Sequence, residues 1–277
     1  MAVETNRQPE PPASPPNLGA FHAETTARSK ALRELTRHEQ GIAFGANSRQ
    51  LLDIYYPKNA IGIAPVHVFL HGGGFRQGSQ TTVGYMGEAL VKHGAIFVAM
   101  SYRLLPDVLF PDMVVDVELG LGWVYQNIAA RGGDPNRLYL SGHSAGATLA
   151  ALAGLRNGWT GERGLPSNVI KGLVLISGMY DYSERPSETV NRRSKRYVSN
   201  LVQAIDYLPE RTIIAAAEND LARVMPDSKA LFEELQGRGA AADFVTVAGV
   251  DHFYAGHSLA EASGEIFQRT KQMMRLS

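Results

Sequence analysis

Strand-sized segments alternate with helix-length ones along most of this chain, and that alternation constrains its fold more than any other feature. Glu39 to Phe44 and Gln50 to Tyr56 flank Gly45-Ala-Asn-Ser48, a hairpin signature. Short apolar runs then recur at Val66 to Leu70, Ala95 to Met100, Arg137 to Ser141, Val169 to Ile176, Thr212 to Ala216 and Asp243 to Val247. Between them the spacing predicts helices over 82–93, 111–130, 145–155, 226–238 and 257–274. The stretch 111–130 is the clearest, with Val114, Val117, Leu121, Val124, Tyr125 and Ile128 on one face. A chain built this way buries its strands on both sides. The expected fold class is α/β, a mostly parallel eight-stranded sheet with helices on both faces.

Three segments depart from the rhythm. Residues 1–17 carry five of the fourteen prolines and few apolar residues, so they read as a flexible Pro-rich tail. Residues 18–37 have Ala20, Ala23, Ala27, Ala31 and Leu35 at helical spacing. Residues 178–210 are polar and charged, with a basic run at 191–196 that reads as a solvated face. The domain expectation is one domain over 18–277, with 18–38 and 178–210 as cap segments. At 277 residues a single α/β unit has room for a large core.

Composition removes several chemistries. The absence of cysteine excludes disulfides, a thiolate nucleophile and Cys-ligated metal. Equal numbers of basic and acidic side chains, 27 each, give no sign of a nucleic-acid partner. No apolar run reaches the roughly 20 residues that span a bilayer, and no signal-peptide core is visible. The reading is a cytoplasmic protein with no membrane partner. His67 and His71 have H-x-x-x-H spacing, but on a strand that spans about 13 Å, too far for one ion. Neither a metal nor an organic cofactor is expected.

Two glycine-rich turns carry the chemistry. Gly142-His-Ser-Ala-Gly146 follows the strand Leu138-Tyr-Leu140 and opens a helix of small residues. In that context G-x-S-x-G places a serine on a tight strand-to-helix turn, with Ser144 as nucleophile. Ala145 then offers its N–H at a helix N-terminus, where negative charge is favoured. Leu70-His-Gly-Gly-Gly-Phe75 follows the strand 66–70, and Gly73 and Gly74 are the further oxyanion donors. His71 reads as a brace for that loop.

A nucleophilic serine needs an imidazole base and a carboxylate that orients it. His252 lies in a loop just past strand 243–247, whereas His257 falls a turn later, so His252 is the expected base. Asp220 is the expected acid, being closest to the end of strand 212–216. Glu218 and Asp227 are alternatives, with Asp181 and Asp251 behind them. Phe75, His143, Tyr180 and Phe253 are the substrate-contact candidates by position.

Taken as a set, Leu70 to Phe75, Ser101-Tyr-Arg-Leu-Leu-Pro106 with Phe110-Pro111 and Asp116, Gly133-Asp-Pro-Asn-Arg137, Gly142 to Gly146 and Val250-Asp-His-Phe253 resemble α/β-hydrolase esterases of the hormone-sensitive-lipase and kynurenine-formamidase-like groups. The resemblance implies an α/β-hydrolase fold with a small cap, a Ser144–Asp220–His252 triad and an oxyanion hole at Gly73, Gly74 and Ala145. The implied activity is hydrolysis of a carboxylic ester of a small or medium soluble substrate through an acyl-enzyme. The alternative within that chemistry is an amidase acting on an N-formyl aryl amide. Phe75-Arg76 stands where formamidases typically carry a tryptophan-containing segment. An alternative of another class is a non-catalytic ligand receptor on the same fold. A small-molecule ester or amide is the expected partner, and a homodimer is possible.

Overall fold

The computed structural model describes residues 18–58, 62–182, 201 and 204–277. The Pro-rich segment 1–17, the basic run 191–196 and most of the expected second cap segment lie outside the described residues.

One sheet joins eight strands: β1 (His38–Ala43), β2 (Leu51–Tyr55), β3 (Ala64–Leu70), β4 (Ile96–Met100), β5 (Gly133–His143), β6 (Ile170–Ile176), β7 (Arg211–Asn219) and β8 (Ala242–Asp251). Their order is β1-β2-β4-β3-β5-β6-β7-β8. β2 runs antiparallel to both β1 and β4, and every other neighbouring pair is parallel. The β1–β2 hairpin is closed by the Phe44 N–H on the Gln50 carbonyl (3.0 Å). The Asn47 side chain accepts the Arg49 N–H at 3.0 Å, the local bond that suits asparagine to such turns.

The parallel strands alternate their side chains between two apolar layers. Val66, Val68, Leu70, Val98, Leu140 and Leu173 face the first layer. It is covered by α3 (Phe110–Asn127), α4 (Ala145–Gly154) and α5 (Val224–Gly237). Phe69, Phe97, Val174, Ile176 and Ile213 face the second. There the cover is α2 (Glu88–Lys92), α6 (His257–Ala260) and α7 (Glu265–Met274), with Leu32 of α1 (Leu18–Leu35) packed beside them. Every residue of α4 is buried, so a helix of alanine, glycine and leucine needs no polar face. None of the described helices is long and apolar enough to cross a membrane.

Two expected helices are shorter than their sequence pattern. Residues 80–82 and 84–87 form 3₁₀ turns, and α-helix begins only at Glu88. The cause lies in α1: Ser29 Oγ takes the Tyr85 N–H (3.1 Å) and donates to the Thr82 carbonyl (3.3 Å), bonds that compete with a continuous helix. The stretch 257–274 breaks into α6 and α7, because Ser258 Oγ accepts the Ile266 N–H (3.1 Å) and folds the second helix back on the first.

His67 sits in the middle of β3, fully buried. Ser141 Oγ gives its proton to the Val68 carbonyl (3.2 Å), so it accepts from His67 Nε2 at 2.6 Å. Burial pushes the imidazole pKa down to about 3. The folded chain therefore refuses a proton that the unfolded chain takes up once pH falls below the ordinary histidine value. Stability from this group is complete above about pH 6.5 and is lost as pH drops toward 3. Urea midpoints measured between pH 7 and 5 are expected to fall more steeply for the wild type than for His67→Gln. Parallel curves for the two proteins would contradict this origin.

Candidate active site

Ser144 joins β5 to α4 with φ 54° and ψ −119°, a conformation that L-residues rarely adopt. The turn is held from both sides. The Ser144 N–H donates to the Ile176 carbonyl (2.9 Å), and the Ser144 carbonyl accepts the Ala147 and Thr148 N–H groups (3.0 and 3.2 Å). Only glycine fits at position 146, because a Cβ there would lie 2.2 Å from the Leu70 carbonyl oxygen. That close approach brings the end of β3, and the glycine loop after it, against the start of α4. Ala145 is the first residue of α4, so its N–H is among those with no partner inside the helix.

The glycine loop is braced from below. His71 stacks on Tyr102 with centroids 4.3 Å apart, and Tyr102 OH donates to the His71 carbonyl at 2.7 Å. His71 Nδ1 lies 2.7 Å from the Gly72 carbonyl, and burial lowers the ring pKa to about 4. His71 thus braces the loop and stays neutral, as its sequence position suggests. Arg49 Nη2 donates to the Gly78 carbonyl (2.6 Å), closing the far end of the turn. Arg103 pairs with the buried Asp116, which also accepts from Gln50 Nε2 (2.7 Å) and the Arg103 N–H (2.9 Å). The Tyr102-Arg103 pair is therefore engaged with structure behind the loop. Gly73 and Gly74 both have positive φ, 118° and 60°, and both line the cavity in front of Ser144.

His252 stands just past β8, with Nε2 2.9 Å from Ser144 Oγ and Nδ1 2.7 Å from Asp220 Oδ1. The Asp220 carboxylate is buried, which opposes its charge. Hydrogen bonds from His252, Ser177 Oγ (2.6 Å) and the Ala217 N–H (2.9 Å) outweigh that cost and hold its pKa below the ordinary value. An ionised Asp220 accepts from Nδ1–H, and the Nε2 lone pair is left facing the serine hydroxyl. The rival carboxylates are engaged elsewhere. Glu218 accepts the Gly249 N–H (2.7 Å), Asp251 accepts the Phe253 and Tyr254 N–H groups (3.0 and 3.2 Å), and Asp227 accepts the Tyr180 N–H (3.3 Å). His257 faces Glu24 of α1, with Nε2 2.9 Å from Oε1.

A cavity of about 650 Å³ opens over Ser144. Two of the four expected contact residues, His143 and Phe253, line it. The other two do not. Phe75 is buried against Phe110 (5.1 Å) and Tyr182 (6.3 Å), because its positive φ turns the chain inward after the glycines. Tyr180 is 2% exposed and packs in the same layer. Phe21 and Thr25 of α1, Phe69, Met86, Met179 and Leu221 are among the further residues that line the cavity, and the sequence reading missed them. Phe21 stacks against Phe253 and Tyr254 at 5.7 and 5.2 Å. Its apolar side chain in a helix otherwise rich in alanine was the available signal. For Met179 and Leu221, the signal was their place just after β6 and just after Asp220.

Comparison with known proteins places the chain in a family. The profile of the family described as BD-FAE matches residues 52–206. The chain is 30% identical over 239 residues to the isoprenylcysteine alpha-carbonyl methylesterase ICME of Arabidopsis thaliana, a match covering 77% of this chain and 56% of that protein. It therefore spans little more than half of that relative's length. It is 29% identical over 256 residues to the kynurenine formamidase of Danio rerio, covering 88% and 83% of the two chains. Among solved structures, an esterase of Pyrobaculum calidifontis superimposes with a TM-score of 0.72 at 21% identity, over 98% of this chain and 95% of that one.

The contact at Gly146 gives a direct test of the elbow. Gly146→Ala forces a methyl group against the β3 backbone and is expected to cost about 1–3 kcal/mol, seen as a fall of several degrees in Tm. An unchanged midpoint would show that β3 and α4 can move apart at no cost.

Proposed function

The chain belongs to the BD-FAE family and has the α/β-hydrolase fold, and from that premise we propose that it is a serine hydrolase cleaving a carboxylic ester through an acyl-enzyme. The observation that carries the reading is the continuous hydrogen-bonded line Asp220–His252–Ser144, ending on a serine held at positive φ. His252 Nε2 takes the Ser144 proton as Oγ attacks the carbonyl carbon. The oxygen that gains charge is held by the amides of Gly73, Gly74 and Ala145, each worth roughly 3–4 kcal/mol in such chemistry. His252 returns the proton to the leaving oxygen. A water activated by the same imidazole then releases the acid and frees Ser144.

The wall of the cavity supports a small or medium substrate with an apolar portion. Phe21, Phe69, Met86, Met179, Leu221 and Phe253 contribute to it, and its volume is in the range of small-molecule sites. In this reading α1 is a cap. Glu24 faces His257, and Arg28 pairs with Glu88 at 2.6 Å, so the helix is clasped beside the site. Similarity to a kynurenine formamidase over most of both chains supports a second substrate class, an N-formyl aryl amide cut by the same residues.

The test has two arms. A fluorophosphonate probe is expected to label Ser144, and Ser144→Ala is expected to remove both labelling and turnover. Asp220→Asn is expected to lower kcat by about 10⁴, as loss of the orienting carboxylate does in comparable triads, while Asp227→Asn stays near wild type. A chain that never labels is no serine hydrolase, and full activity in Asp220→Asn would reassign the acid. kcat/KM for short-chain esters against N-formylkynurenine separates the two substrate classes, with the ester expected to be the better substrate. Formamide turnover equal to or above the ester value would make the amide the primary class.

A further inference from the structure

His143 precedes the nucleophile, and its half-buried side chain reaches the loop that carries the base. Its Nε2 lies 2.7 Å from the main-chain carbonyl of His252, and the two rings stand 4.9 Å apart at 45°. A carbonyl only accepts, so Nε2 carries the proton and Nδ1 is the bare nitrogen. On its other side the ring meets the glycine loop. A Cβ on Gly72 would lie 3.0 Å from His143 Nδ1 and 3.3 Å from Ser144 Cβ. One imidazole thus touches the base loop and the glycine loop while covalently joined to the elbow. Resting on the serine-hydrolase reading above, we propose that His143 is a positioning residue that ties the His252 main chain to the nucleophile elbow throughout the catalytic cycle.

The cycle explains why such a tie is useful. In the free protein His252 is located by two side-chain bonds, to Ser144 Oγ and to Asp220. Once Oγ has become an ester oxygen it has no proton to donate, and the first bond loses its original form. The bond from His143 is to the main chain and does not involve the reacting atoms, so it survives acylation. It keeps Nε2 within reach of the leaving group and then of water, where a misplacement of about 1 Å can cost on the order of 100-fold. Charge matters as well. Burial lowers the His143 pKa to about 3, and the cationic form of His252 opposes a second charge so close. A neutral donor at this position adds no positive charge beside His252.

The experiment compares His143→Leu, which lacks a donor, with His143→Gln, whose amide nitrogen sits the same number of bonds from the backbone as Nε2. On an ester substrate His143→Leu is expected to lower kcat at least about tenfold with KM within about twofold, and His143→Gln to recover most of the loss. Both variants are checked for wild-type circular dichroism. A kcat within twofold of wild type in His143→Leu, a loss confined to KM, or equal damage in the two folded variants would overturn the proposal. Histidine ¹⁵N spectra of the wild-type chain test it without substitution. A neutral Nε2–H tautomer is expected for His143 at pH 7, and an Nδ1–H tautomer or an imidazolium would overturn it. Fluorophosphonate labelling of the wild type separates the two levels. Failure to label removes the hydrolase reading itself, while labelling with an undiminished His143→Leu removes only the tie.

Discussion

The site depends on the contact between the Leu70 carbonyl and Gly146, where the end of β3 meets the first turn of α4. The contact sets how far the glycine loop stands from Ser144. It also fixes the elbow, because Gly142 faces Gly146 across the same turn, with room for no Cβ between them. Neighbouring strands complete the frame. β6 accepts the Ser144 N–H through Ile176, and β7 accepts the Ser177 N–H through Ala215 (2.7 Å). Ser177 then donates its hydroxyl to Asp220. The parallel sheet is therefore a ruler. The carboxyl ends of β3, β5, β6, β7 and β8 each deliver one part of the site at a spacing set by backbone pairing.

Electrostatics sorts the histidines on this frame. His67 and His71 are buried and His143 is half-buried, and desolvation holds each in the neutral form. None of the three has a carboxylate within hydrogen-bond range among the described residues. His252 pairs such burial with a buried acid at 2.7 Å, whereas the carboxylate that His257 meets, Glu24, is exposed. In the proposed mechanism His252 accepts and returns a proton, and the Asp220 carboxylate compensates the charge it then carries. The other three act as hydrogen-bonding wedges. Their neutrality also spares the base from like-charge repulsion.

The alternation of strand and helix was legible because buried parallel strands read as apolar runs; β3 to β8 overlap the six such runs, and β1 and β2 lie where the hairpin signature falls. The convergence of Ser144, Asp220 and His252 in space was legible for a related reason. Chain order and strand ends limit where a triad can be assembled, and of the two carboxylates at the end of β7 Glu218 is taken up by the Gly249 amide while Asp220 meets the imidazole. The cavity wall was less legible. Phe75 and Tyr180 were placed by their proximity in sequence to the site, but a single positive φ at Phe75 turns that side chain into the core. Phe21 lies more than a hundred residues before Ser144, and nothing local in α1 states which surface it will cover. Helical periodicity gives a face. It does not give the partner of that face.

On the proposed function, the division between the legible line Asp220–His252–Ser144 and the illegible wall has a physical consequence for substrate choice. The reacting atoms are fixed by backbone pairing and tight turns, which tolerate little change. The wall is assembled from α1, Met179 and Leu221, segments attached to the sheet by side-chain contacts such as Arg28 with Glu88 and Phe21 with Phe253. Side-chain contacts of that kind can be exchanged one at a time without moving Ser144 or His252. Proteins resembling this chain are named for a methylesterase and for a formamidase activity. In the proposed mechanism ester and amide cleavage share the attack and the oxyanion, and differ in how the leaving atom is seated for protonation by His252. That seating is set by the wall. On the proposed function, a change between the two chemistries is reached by exchanging side chains of α1 and of the loops after β6 and β7, with the elbow kept.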